Sequence, residues 1–167
     1  ILSQYNFTVD ESDPTEQDIA VDPEMLGKIF ESLLDPEERH DNGAHYTPRE
    51  IVHFMCIESL AYNVSTKFNL EFTDVKNYIL YGNSLENKIE IKEKAKLIFE
   101  YLKNIRIVDP AVGSGAFLVG MLNEILKLRI NLAELEGIKY SKYGLKKEAI
   151  QNSLVGVDIE YDAIEIA

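Results

Sequence analysis

Cysteine is nearly missing from this chain. Cys56 stands alone among 167 residues, so no internal disulfide can form. Three histidines beside one cysteine make a poor ligand set for a structural zinc site, and no metal is expected. No apolar run approaches the ~18 residues a membrane span requires, so no membrane partner is expected. Ile1 to Asn6 carry no basic segment followed by an apolar one, which excludes a signal peptide there. A reducing cytoplasm fits this set of absences. The first residue is not methionine, and an excised piece of a longer protein is expected. Basic residues are also scarce. There are 17 Lys and Arg against 29 Asp and Glu, a net charge of −12. A DNA-binding surface is usually basic, because neutralised phosphates supply most of the affinity. The composition therefore argues against DNA binding by this piece alone. Eleven acids in the first 40 residues, against Lys28 and Arg39, read as a solvated acidic face. Finally, none of the five prolines follows another proline or an asparagine.

What is present suits one globular domain. A chain of this length hides roughly 70% of its unfolded surface, and 46% hydrophobic with 28% charged residues excludes disorder. Residues 1–20 read as an extended acidic arm. Asp22-Pro23-Glu24 makes a helix start, and Met25, Leu26, Ile29, Phe30, Leu33 and Leu34 recur at helical spacing. Asn42-Gly43 reads as a turn. Thr47-Pro48-Arg49-Glu50 has the pattern of a capping box, with Ile51, Val52, Met55, Cys56, Ser59 and Leu60 facing the core. A short helix is expected around 74–80 and another over 90–104. Ile105 to Val108 reads as a buried strand and Ala116 to Ile130 as an amphipathic helix. Residues 131–144 read as a loop, 146–152 as a short helix, and Leu154 to Val157 as a second strand. Asp162 would cap a further helix.

Two segments carry candidate chemistry. Asp109-Pro110-Ala111-Val112-Gly113-Ser114-Gly115 follows the first strand and opens a helix. Glycines let a ligand approach the backbone, the helix start offers free amides, and an acid ending a strand faces the crevice where open α/β sheets bind ligands. No Gly-Lys-Ser/Thr follows, so this is not a P-loop; taken alone it could be a plain structural turn. Asp158 ends the second strand and could take both ribose hydroxyls, with Ile159 against an adenine face; alone, it could equally cap a turn. Together, two acids ending neighbouring strands favour a nucleoside pocket. Cys56 reads as inert core, His45 as a loop histidine, and Lys146-Lys147 as a solvated face.

"GAHYTPREIVHFM", "DPAVGSGAFLVGMLNEIL" and "LVGVDIEYDAIEIA", in that order, resemble the gamma-class amino-methyltransferases that modify N6 of adenine in DNA. The lead-in from "YNFTVDE" to "DPEMLGKIFESLL" resembles long single-chain bacterial restriction–modification enzymes, of the type IIG or IIS kind. The resemblance runs from about Val21 onward. It implies an α/β fold: a partial class I S-adenosylmethionine-dependent methyltransferase, Rossmann-like, with a mostly helical N-terminal layer (21–104) before a first parallel strand–helix–strand unit (105–167). It implies S-adenosyl-L-methionine as cofactor. Tyr46 and Thr47 would meet its methionine end, Asp109, Ala111 and Gly113 would line the methionine and ribose region, Asp158 would bind the ribose hydroxyls, and Ile159 would pack on adenine. It also implies double-stranded DNA as a partner of other parts of the parent protein, with a restriction or specificity domain possible in the same polypeptide.

Two departures stand out. Asp158 lies 43 residues beyond Gly115, where a simple dinucleotide fold spaces these elements by about 20. The family's Asn-Pro-Pro-Tyr catalytic signature is absent, so the chain should stop before the site that holds a flipped adenine and should be inactive alone. Asp109 and Asp158 should end adjacent parallel strands and face one crevice, and Thr47 should cap its helix over the glycine loop. Two other readings stay open: a non-catalytic scaffold or subunit-interaction module, and an NAD-binding Rossmann protein. The latter lacks its third glycine, since Leu118 stands there.

Overall fold

A computed structural model describes residues 47–86 and 89–159. The acidic arm, the Asp22 helix start, the Asn42-Gly43 turn, Tyr46 and the helix expected at Asp162 lie outside the described residues.

The described chain is mostly helical with a two-stranded parallel sheet. Helix α1 spans Arg49–Phe68 and is free of glycine and proline; Asn69, left-handed at φ 50°, ends it. Helix α2 spans Phe72–Tyr81, and a 3₁₀ turn, Gly82–Ser84, follows. Helix α3 is Ile89–Leu102. Strand β1, Ile107–Asp109, leads through the glycine turn into helix α4, Ala116–Glu136. Helix α5, Lys142–Ser153, runs directly into strand β2, Leu154–Gly156. The strands pair in parallel with Ile107 opposite Leu154 and Asp109 opposite Gly156. Parallel pairing follows from the long helical crossover between them.

Helix α4 is the centre of the fold. Ile125, Leu128 and Leu132 are fully buried on it, and α1, α2, α3 and α5 pack around it. Its buried Arg129 reaches across to α5, where Nη2 donates to Glu148 Oε2 at 2.5 Å and the guanidinium lies 5.0 Å from the Phe99 ring centroid. Asn83 joins α2 to α4: its Oδ1 accepts from the Tyr78 hydroxyl at 2.9 Å, and its Nδ2 donates to the Asn131 carbonyl at 3.1 Å.

Several expectations are corrected. The capping box does not form: the helix cap is Pro48, with no side-chain cap bond. The Pro48 carbonyl accepts from the Ile51 and Val52 amides at 2.9 and 3.1 Å, which puts Thr47 one residue outside the cap. Pro48 itself has ψ 143°, outside the helical region, so α1 starts one step later than the pattern suggests. The core face of α1 is Val52, Cys56, Ile57, Leu60, Ala61 and Val64, whereas Ile51, Met55 and Ser59 face outward. Residues 131–136, expected as loop, continue α4 because Leu132 and Ala133 extend its buried stripe; Gly137, left-handed at φ 65°, ends it. Helix α5 starts at Lys142 rather than 146, since Ser141 caps it by accepting from the Gly144 amide. The first strand is not fully buried: Val108 is 61% exposed and its cross-strand partner Val155 is 43% exposed, because one face of the two-stranded sheet is open.

Candidate functional site: a glycine turn between two strand-end acids

Asp109 is the last residue of β1, and its carboxylate turns back on the loop it starts. Oδ1 accepts from the Ala111 amide at 3.1 Å, which fixes the turn at Pro110. Oδ2 is buried and has no hydrogen-bond partner among the described residues. The loop is then pinned to β2 from three sides. Val157 N donates to the Asp109 carbonyl at 2.8 Å, Val112 N donates to the Val157 carbonyl at 3.0 Å, and Gly113 N donates to Asp158 Oδ2 at 2.8 Å. The two acids therefore sit at the carboxyl ends of adjacent parallel strands, on either side of one loop. Asp158 Oδ2, by accepting from the Gly113 amide, holds that carboxylate beside the loop.

The glycines are required by geometry. Gly113 has φ +52° and Gly115 has φ +83°, both in the region that side chains disfavour. Among the described residues, no atom beyond its chain neighbours lies within 4 Å of where a Gly113 Cβ would be. Gly115 is the helix cap, and its carbonyl accepts from the Val119 amide at 2.9 Å. The first amides of a helix have no acceptors within it, and here they open beside the same turn. Gly156 was not singled out from the sequence. A Cβ there would come within 2.8 Å of Val112 Cγ2, so its hydrogen lets the loop lie on β2. The only sequence signal for it was its place inside "LVGVD".

Helix α1 packs against α4: a Cβ on Gly120 would meet Val52 and Cys56, and Val64 lines one small apolar void with Leu128 and Leu132. Thr47 is half-buried. Ala111 is exposed and Ile159 is 84% exposed, so Ile159 has no packed surface of its own here.

Cys56 is buried at this junction, 3.7 Å from the Phe117 carbonyl. Burial pushes its thiol up to about 11, and the negative charges of Glu124 and Asp109 add to the effect. A thiol held neutral is a poor nucleophile, which agrees with an inert core role. Glu124, buried in α4, accepts from or pairs with His53 Nδ1 at 3.0 Å, a contact the sequence did not signal. Among the described residues, no group of three or more His, Cys, Asp and Glu could hold a metal. No helix among them is long and apolar enough to cross a membrane.

In open α/β sheets, ligands bind in the crevice beyond the carboxyl ends of the strands, which is where this turn and its two acids lie. The chain is 32% identical over 177 aligned residues to a Methanocaldococcus jannaschii protein named as a proposed type II restriction enzyme and methyltransferase. The alignment takes in 99% of this chain and 15% of that protein, so the chain spans about a seventh of the relative's length. No family model matches the chain, and no solved structure matches it.

Proposed function

We propose that this chain is the S-adenosylmethionine-holding part of a site-specific DNA (adenine-N6) methyltransferase within a restriction–modification enzyme. The observation that carries the reading is the loop from Asp109 to Gly115, flanked by the Asp109 and Asp158 carboxylates. Among the described residues no group donates to the buried Oδ2 of Asp109, and a cationic or hydroxyl-bearing ligand would supply a donor. The similarity to a restriction enzyme and methyltransferase supports the same reading.

In this reading Asp109, Ala111 and Gly113 line the methionine and ribose region, Asp158 takes the ribose hydroxyls, Ile159 lies on the adenine, and Tyr46 and Thr47 meet the methionine end. The donor brings an already activated methyl on its sulfonium. The chain's own part is to hold and orient it, since alignment alone lowers such barriers by roughly 7–11 kcal/mol. DNA is gripped by other parts of the parent protein, because a net charge of −12 repels phosphates.

The test is transfer of label from S-adenosylmethionine to duplex DNA by the intact parent protein, followed by digestion to nucleosides. Label on N6-methyladenine is expected. Label on cytosine overturns the adenine assignment, and no transfer overturns the methyltransferase. The scaffold reading has one observation of its own: Val108, Val155 and Val157 leave an apolar strip of the sheet exposed. A parent protein that binds no S-adenosylmethionine but holds a partner subunit through that strip favours it.

A further inference from the structure

Gly120 lies in the middle of the first half of α4, where nothing about helix formation asks for glycine. Glycine in a helix interior costs about 1 kcal/mol relative to alanine, so its presence needs a reason. The neighbours supply one. A Cβ on Gly120 would stand 2.8 Å from Val52 Cγ1 and 3.2 Å from Cys56 Sγ. The first distance is one that real Cβ atoms essentially never show, and both neighbours are buried, so neither can swing into solvent. The missing side chain therefore sets how closely α1 approaches α4.

That approach has a consequence five residues away. Val52 is five residues after Thr47, and Gly120 is five residues after Gly115. At about 1.5 Å per residue, the Gly120–Val52 contact lies within two turns of both the Thr47 helix start and the glycine turn. We propose that Gly120 is a positioning residue for the cofactor site: its missing Cβ seats the start of α1 against the glycine turn and so places Thr47 beside Asp109 and Gly113. The inference rests on the cofactor reading above, but its structural half does not.

Cys56 provides an independent readout. It is the single cysteine of the chain, it is 2% exposed, and its sulfur lies at the same contact. Alkylation of Cys56 by iodoacetamide therefore reports the opening of the α1–α4 seam without any ligand. The experiment compares wild type, Gly120→Ala, and Gly120→Ala with Val52→Ala, which removes the atoms the new methyl would meet. Each is measured for thermal unfolding, Cys56 alkylation rate and S-adenosylmethionine affinity.

Gly120→Ala should unfold cooperatively, label Cys56 faster, and bind S-adenosylmethionine roughly tenfold more weakly, as overpacking of this size predicts. The double variant should recover both labelling and affinity. A purely structural glycine would move stability and leave the affinity of the folded fraction alone. Wild-type labelling in Gly120→Ala overturns the inference. So does a double variant whose labelling returns while its affinity does not. If Gly120→Ala fails to fold, the double variant alone decides: a folded double variant with wild-type labelling and affinity is expected, and loss of affinity with wild-type labelling overturns the inference. Wild type that takes up no S-adenosylmethionine overturns the proposed function instead, and the labelling ratio then still decides whether Gly120 sets the seam.

Discussion

The Gly113 amide donates to the Asp158 carboxylate across 45 residues of chain, at 2.8 Å. With the two backbone bonds of Val157 to Asp109 and Val112, this bond closes the glycine turn of β1 onto the end of β2 and holds the second acid beside that turn. Asp158→Ala should then lower stability by about 1–2 kcal/mol, the lower part of the range for a bond to a charged acceptor, because the group is half-exposed. Asp158→Asn keeps an acceptor oxygen and should cost less. Urea midpoints check this, and equal losses for the two variants would argue that the Gly113 bond contributes nothing.

The Arg129–Glu148 pair should respond asymmetrically. Arg129 is fully buried, with Nε and Nη1 lacking partners, while Glu148 is 35% exposed. Removing Glu148 strands a buried cation and should cost about 3–5 kcal/mol. Arg129→Met leaves a carboxylate that can turn to water and an apolar side chain of similar length, and should cost clearly less. The two urea midpoints give the order, and the reverse order would contradict the burial argument.

Alkaline stability should fall in a defined window. The Cys56 thiol ordinarily titrates at 9.0 and is pushed up to about 11 in the fold, chiefly by burial. The fold thus favours the protonated form. Its contribution is complete below pH 9.0 and is lost as pH rises from there to about 11, because the unfolded chain releases its proton first. Tyr78, raised by burial from 10.0 to about 12, extends the fall upward. The fall should be shallower in Cys56→Ala. An equal slope in that variant would assign the loss to other groups.

Thr47 separates stability from binding. A cap lost to alanine typically costs about 1 kcal/mol, but here Pro48 is the cap and no side chain serves it. Thr47→Ala should therefore leave the unfolding free energy within about 0.5 kcal/mol of wild type, the range of surface changes, while weakening S-adenosylmethionine binding. A clear loss of stability with unchanged binding would restore the capping role and remove the ligand role.

Parts of this architecture were legible because they are local. A short apolar run, an acid, two glycines and an amphipathic helix specify strand, turn and helix within a dozen residues, and β1, Gly115 and α4 follow that order. The parallel pairing of Leu154–Gly156 with β1 was legible from the long crossover. The register of α1 was not. Both the Ile51/Met55 row and the Val52/Cys56 row are apolar, and the Val52/Cys56 row is the one that lies against Gly120 on another helix. The continuation of α4 past Ile130 was hidden for a related reason, since the polar-looking stretch after it carries buried Leu132 and Ala133. The burial of Arg129 was not legible either, because its partners Glu148 and Phe99 come to it from other elements. In the site, the two acids were legible as strand ends, whereas the bond that joins Asp158 to Gly113 depends on tertiary placement.

The most direct test is a calorimetric titration of the chain with S-adenosylmethionine, run in parallel on Asp109→Asn and Asp158→Asn. Saturable one-to-one binding is expected in wild type, weakened roughly tenfold or more in each variant, as loss of a charged hydrogen-bond acceptor implies. Binding that is equally tight in both variants, or tighter binding of NAD than of S-adenosylmethionine, would contradict the account.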